Sequence, residues 1–351
     1  MSPVAAVGLA TALAAGTTVA TNTVSAESTA STASTLPTVT PTCTEEYPFG
    51  VAGGPWMLCE VTSSGVVELP AGGSGPLFVH ASGQPGARNK GGGGGRAQTL
   101  IDLDESDDLH VYMTPEGRGS AQYAGGSATV VTTTPIEDST IDDVIVIAGG
   151  GGAEGRRLRH PGNKPFVCGE GSGGAGGRVD AETENAGASG PGTSPAHASG
   201  GDSDGGRDCG ESGSQPTPGN NGIGGSQPAG GDRDGADGIG GQGGSKEGWI
   251  QPWRDAEGNP VVAESCNCPA PIGYTAGAGG AWNGHDSAGG GGGYGGGGGG
   301  DRNWGGAGGG SYAAAPTGQW NTGADPRDDL NVPEWDQPNT GEPSVWFYYQ
   351  A

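Results

Sequence analysis

Between residues 288 and 312 the chain reads AGGGGGYGGGGGGDRNWGGAGGGSY, and glycine-dominated runs also stand at 91–95, 149–152 and 173–177. Glycine loses more conformational freedom on ordering than any other residue. Such runs therefore either stay a flexible spacer or fold where no side chain fits. Gly/Ser linkers behave as flexible coils, yet Tyr294, Trp304 and Tyr312 punctuate these runs with bulky rings. Polyproline II offers an ordered alternative: three residues per turn, a rise of about 3.1 Å per residue and no internal hydrogen bonds. Its N–H and C=O groups can bond neighbouring helices only if no side chain holds the axes apart. Collagen crowds one side of each helix and needs glycine at every third place. A helix packed hexagonally needs it on every side, hence unbroken runs. The expectation is a bundle of glycine polyproline II helices, with the aromatics outside it or at its junction with a sheet; the competing reading is a spacer.

Composition supports a search for stability outside an aliphatic core. The 351 residues include 79 glycines and 26 prolines, and only 32% are apolar, below the globular norm. Six cysteines remain: Cys43, Cys59, Cys168, Cys209, Cys266 and Cys268. An even count in a core-poor exported chain points to disulfides. Zinc is disfavoured, because Cys266-Asn267-Cys268 has C-x-C spacing and no histidine follows at finger distance. Cys43 and Cys59, with fifteen residues between them, suggest a local loop worth about 3 kcal/mol on the chain-entropy model. The pairing of the other four stays open.

The sequence carries 15 basic against 39 acidic residues. This balance argues against nucleic acid and anionic membranes as partners and leaves a basic partner, cations or plain solubility. Residues 1–26, MSPVAAVGLATALAAGTTVATNTVSA, read as a signal peptide ending in Val24-Ser25-Ala26, although no Lys or Arg precedes the apolar segment. Later runs are too short for a membrane span, and QPNTG at 337–341 lacks the helix and basic tail of a sortase signal. The mature chain is expected to be secreted or at the cell surface, without a transmembrane anchor.

Residues 27–42 form a Ser/Thr-rich spacer and 43–351 the module proper, with 179–246 a polar, acidic insertion expected to be largely disordered. Within the module the runs 75–83, 99–103, 109–113, 128–133 and 143–148 are short, β-branched and bounded by Gly, Pro or Asp, the signature of antiparallel sheet. SVWFYYQ at 344–350 should pair back into it. Helical periodicity is absent beyond the signal segment.

In sequence order, PTCTEEYPFGVAGGPWMLC, the stretch from VELPAGG to VYMTPEG, DVIVIAGGGGAEG, the paired glycine tracts and NTGEPSVWFYY resemble the glycine-rich extracellular region of anaplastic lymphoma kinase and leukocyte tyrosine kinase. The resemblance covers roughly residues 41–351. It implies an all-β fold, a jelly-roll-like antiparallel β-sandwich with an inserted bundle of glycine polyproline II helices. It also implies extracellular ligand binding in which acidic surface residues hold a basic cytokine. The matching tract here is ADPRDDLNVPEWDQ, with Asp325, Asp328, Asp329, Glu334 and Asp336. The kinase signatures, H-R-D and D-F-G, are missing, so no kinase activity is expected.

Other chemistry is poorly supported. G-x-G-x-x-G arises trivially in glycine runs without a βαβ unit, and G-K-[ST] does not occur. Asp232 and Asp234 fit the first two places of an EF-hand loop, but Ala236 takes the third. His80, His110, His160, His197 and His285 are scattered without ligand spacing. The basic RRLR at 156–159 has a duller use as a salt partner. No nucleophile–base pair can be nominated, and no metal or cofactor is expected. The expected function is a non-catalytic binding or scaffolding module recognising a basic protein or a glycan; the alternative is a structural matrix or cell-envelope protein.

Overall fold

The computed structural model describes residues 36–46, 55–69, 75–87, 89–103, 108–113, 125–136, 138–139, 141–155, 172–180, 196–200, 202, 262–263, 268–269, 281–282, 285–286, 288–300, 304–318 and 338–350. The strands in chain order are β1 (Thr38–Val39), β2 (Thr42–Glu46), β3 (Trp56–Val61), β4 (Gly65–Val67), β5 (Gly75–Ser82), β6 (Arg96–Leu103), β7 (Leu109–Tyr112), β8 (Thr129–Thr132) and β9 (Val144–Ala148). They continue with β10 (Arg178–Asp180), β11 (Ala196–Ala198), β12 (Val262–Ala263), β13 (Cys268–Pro269), β14 (Ala281–Trp282), β15 (His285–Asp286), β16 (Ser311–Ala313) and β17 (Ser344–Gln350). Among the described residues the only helical turn is the 3-10 turn Ile141–Asp143.

Two sheets form a sandwich. One is ordered β1-β4-β7-β8-β9-β16-β11 and the other β10-β6-β5-β17-β3-β2; β12–β13 and β14–β15 are separate two-stranded pairs. The chain passes repeatedly from sheet to sheet, giving the jelly-roll-like all-β sandwich the sequence suggests. Period-2 alternation sends Val61, Leu77, Val79, Val345 and Phe347 of the six-stranded sheet inward against Leu109, Val111, Val131 and Val146 of the other. Each such side chain contributes about 1.5–3 kcal/mol of burial. A bulge at Val131/Thr132 lets successive residues Ile145 and Val146 both join that core.

The sheets are not wholly antiparallel: β1 runs parallel to β4 and β10 parallel to β6, at one edge of each sheet. Both pairs place a strand inside a segment expected to be spacer or insertion. Described residues 36–42 of the expected 27–42 spacer take part in the fold, because Leu36 packs on an apolar cluster outside the core while Val39 reaches the core itself. Within the expected insertion, Val179 is fully buried in β10, and residues 196–198 form β11 against β16. The remainder of 181–246, apart from 199–200 and 202, lies outside the described residues.

Beyond one end of the sandwich the strands become glycine helices. β5 runs on into 83–87, and β9 into 149–154. Segments 90–95, 125–128, 172–177 and 304–310 lead into β6, β8, β10 and β16. Hydrogen bonding in this region repeats every third residue. Gly306 and Gly309 donate to Ala153 and Gly150, Ala307 and Gly310 donate to Gly298 and Gly295, and Gly174 and Gly177 donate to Gly306 and Gly309. A neighbour met at i and again at i+3 is the signature of a three-residue turn.

Segment 149–154 sits in the middle of this bundle. It donates to Gly292 and Gly289, to Gln84 and Ala87, and to Gly174; it accepts from Gly95 and Gly92, from Gly309 and Gly306, and from Gly126. Six neighbouring segments thus surround one helix. A Cβ added at Gly150, Gly151 or Gly152 would fall closer than 3.0 Å to the carbonyl oxygen of Gly126, Gly92 or Gly306 respectively. Three successive residues each face a different backbone, so every face of the turn needs glycine.

Candidate binding surface

Two aromatic residues of the glycine runs, Tyr294 and Tyr312, stand where the bundle meets the seven-stranded sheet, whereas Trp304 begins the segment 304–310 that leads into β16. Tyr312 lies opposite Ile147 in β9, and the Tyr294 N–H donates to the Gly310 carbonyl at 2.8 Å. The two rings meet with centroids 5.0 Å apart, tilted by 47°. They join Tyr112, Val130, Val144 and Ile147 on the face of the sheet turned away from the core. Tyr312 is buried, whereas Tyr294 and Trp304 are half-buried. Burial raises the Tyr312 phenol well above the ordinary tyrosine range, with smaller contributions from Tyr294 and from the exposed Asp142. Burial raises Tyr294 as well.

The acidic tract is bracketed by two fixed stems. Before it, the Thr317 and Gly318 N–H groups donate to the Leu100 carbonyl at 3.1 and 3.2 Å, and Thr317 Oγ1 accepts from Asp102 N at 2.9 Å. After it, Asn339 and Gly94 exchange backbone bonds at 2.8 and 2.7 Å. The Asn339 amide donates to the carbonyls of Gly83, Gly341 and Glu342, and its Oδ1 accepts from Gly341 N. This built latch contains the Asn339-Thr340-Gly341 of the QPNTG motif. The proposed partner residues Asp325, Asp328, Asp329, Glu334 and Asp336 lie outside the described residues, as do the calcium-like Asp232 and Asp234.

Cys43 and Cys59 are joined by a disulfide between directly opposed residues of β2 and β3, with Cα atoms 4.0 Å apart. The pairing matches the local loop inferred from the sequence. Cys168, Cys209 and Cys266 lie outside the described residues; Cys268 is in β13. Tyr349 places its hydroxyl beside the Cys59 sulfur, and burial raises its pKa.

One polar cluster was not legible in the sequence. On the outer face of the six-stranded sheet His80 lies across from Gln98, and Ser82 from Arg96. His80 Nδ1 is 3.1 Å from Gln98 Oε1, and Arg96 Nη1 is 3.2 Å from His80 Nε2. His80 is 0% exposed, Arg96 6% and Asp180, on β10, 3%. The register, rather than any sequence spacing, assembles them; the polar alternation of GPLFVHAS and RAQTLIDL is the only hint. Among the described residues no group of three or more His, Cys, Asp or Glu could hold a metal ion, and no helix is long and apolar enough to cross a membrane.

No protein-family model and no curated protein matches this chain.

Proposed function

We propose that the chain is an exported, non-catalytic recognition module in which the glycine bundle acts as a rigid mount for a binding surface. The mount is the observation that carries the reading. Binding residues are commonly displayed on connecting segments held by a stiff scaffold, and both flanks of the acidic tract are bonded to the bundle or to β6. A net charge of −24 favours a basic protein as partner through electrostatic steering. A glycan is the second candidate ligand, since Tyr294 is half-buried beside Tyr312 and leaves part of a ring for stacking. The resemblance to the extracellular region of the two receptor kinases points the same way, and the Cys43–Cys59 disulfide is compatible with an oxidising compartment.

The test is capture of basic extracellular proteins and of arrayed glycans by the mature chain. The variant Asp325→Asn/Asp328→Asn/Asp329→Asn serves as the comparison. Saturable retention that weakens in the variant and at raised salt supports a basic partner, and retention on glycans alone supports the second ligand class. Uniformly blank binding refutes recognition. Composition supports a matrix or envelope role as the rival, which predicts salt-promoted filaments visible by sedimentation and electron microscopy.

A further inference from the structure

Three tyrosines on the outer face of the seven-stranded sheet, Tyr112, Tyr294 and Tyr312, run toward one acidic loop. The Tyr112 hydroxyl accepts from the Ile136 N–H at 2.8 Å. After burial, the Tyr294 phenol and the Asp142 carboxylate add to the rise of the Tyr312 pKa, which puts both near its hydroxyl. Tyr312 is 6% exposed, and among the described residues no hydrogen bond engages that hydroxyl. Tyr294, 5.0 Å away between ring centroids, is half-buried and keeps part of its ring open.

The loop at 133–143 reads TTPIEDSTIDD, with four acidic residues and no Lys or Arg. Its own bonds shape it. The Thr133 N–H donates to the Asp143 carbonyl, and the Asp138 N–H and the Ser139 hydroxyl both donate to the Pro135 carbonyl, each at 2.9 Å. Asp138 and Asp142 are exposed, while Leu36, Ile136 and Ala314 are half-buried beside the rings. None of the seven strands of this sheet contains a Lys or Arg, whereas the six-stranded sheet carries Arg96 and Arg178. An aromatic and aliphatic floor with carboxylates at its rim complements a cation on an apolar stem. A ring face attracts a cation within about 6 Å of its centroid, and a guanidinium both stacks on a ring and pairs with a carboxylate. A neutral sugar would leave the carboxylates without an opposite charge.

We propose that this face docks an arginine side chain of a basic partner protein, its guanidinium stacking on the open part of Tyr294 and pairing with Asp142. The site rests on the recognition reading above and adds a contact outside the acidic tract at 325–336. Arginine is favoured over lysine because one planar group meets both the ring and the carboxylate.

The probe is a short peptide alternating arginine and serine, compared with its citrulline analogue, which keeps the shape and lacks the charge. Fluorescence anisotropy measures the binding of each to the mature chain. The expected result is saturable binding of the arginine peptide alone, weakened about two- to fivefold in Tyr294→Leu and about two- to fivefold in Asp142→Asn. Asp102→Asn makes the same charge change on β6 of the other sheet and should stay within about 1.5-fold of wild type. Binding unchanged in either Tyr294→Leu or Asp142→Asn overturns the proposal. Where the Asp325→Asn/Asp328→Asn/Asp329→Asn variant weakens it instead, recognition stands and only this site falls. A wild type that binds neither peptide also overturns the site, and recognition falls with it only if basic proteins are not retained either. Glycan retention lost in Tyr294→Leu, with the arginine peptide unaffected, assigns the ring to sugar and overturns the proposal. If Tyr294→Leu does not fold, proton resonances of the peptide bound to the wild type decide. Arginine methylene protons should move upfield over the ring, and unmoved resonances overturn the site.

Discussion

Replacing Gly151 by alanine adds one methyl group at the centre of the bundle and isolates the claim that backbone contact requires glycine there. The new Cβ would lie closer than 3.0 Å to the Gly92 carbonyl oxygen. Both partners are main chain in a packed array, so relief requires moving a whole helix. Gly151 also donates to Gln84 O at 2.9 Å and accepts from Gly126 N at 2.6 Å. Overpacking costs about 1–3 kcal/mol, and loosening two buried bonds adds about 1 kcal/mol each. Restricting the unfolded chain returns about 0.4–1 kcal/mol. The net expectation is a destabilisation of about 2–4 kcal/mol, or a urea midpoint lowered by about 1–2 M for a slope near 2 kcal/mol/M. Gly341→Ala is the matched control, since its added Cβ would meet only Asn339 Oδ1, at 3.6 Å. It should stay within about 0.5 kcal/mol of wild type. Should Gly151→Ala not accumulate, Gly93→Ala gives a milder form of the test, because its nearest obstacle is the Pro338 side chain. Circular dichroism against urea reads all three. A Gly151→Ala protein as stable as the control would refute the reasoning.

Three further outcomes are expected. Reducing Cys43–Cys59, or replacing both cysteines by alanine, should cost about 2–4 kcal/mol, seen as a lower melting midpoint only when the disulfide is absent. Asn339→Ala removes an amide that donates to three carbonyls; it should cost about 1–3 kcal/mol in denaturant titration. The raised Tyr294 and Tyr312 pKa values stabilise the fold fully below the unfolded tyrosine value near 10. That contribution is lost as pH rises through the folded values above it, so phenolate absorbance should appear together with unfolding. Tyr312→Phe should move this alkaline transition to higher pH.

Much of the architecture could be read from residues because backbone geometry leaves few choices. Unbroken glycine demands contact on every side, and the β-branched runs at 99–103, 109–113 and 143–148 overlap β6, β7 and β9. The edge strands were hidden for the opposite reason. β10 is only Arg178-Val179-Asp180, and β1 only two residues; neither has enough period-2 pattern to stand out from polar surroundings. The central place of β17 between β3 and β5 is a long-range pairing that strand propensity cannot specify. The Cys43–Cys59 pair was legible because its loop is short. The His80–Gln98–Arg96 cluster was not, since its members meet through the β5–β6 register and share no sequence spacing.

The central claim is that the glycine runs form a solid whose amides bond one another. Amide exchange resolved within 149–153, 289–293 and 305–310 tests it most directly. Bonded helices predict rates slower than those of a free glycine peptide by at least about a thousandfold, lost together in one cooperative transition. Exchange at the free-peptide rate in these segments, while β5, β6 and β17 stay protected, would contradict it.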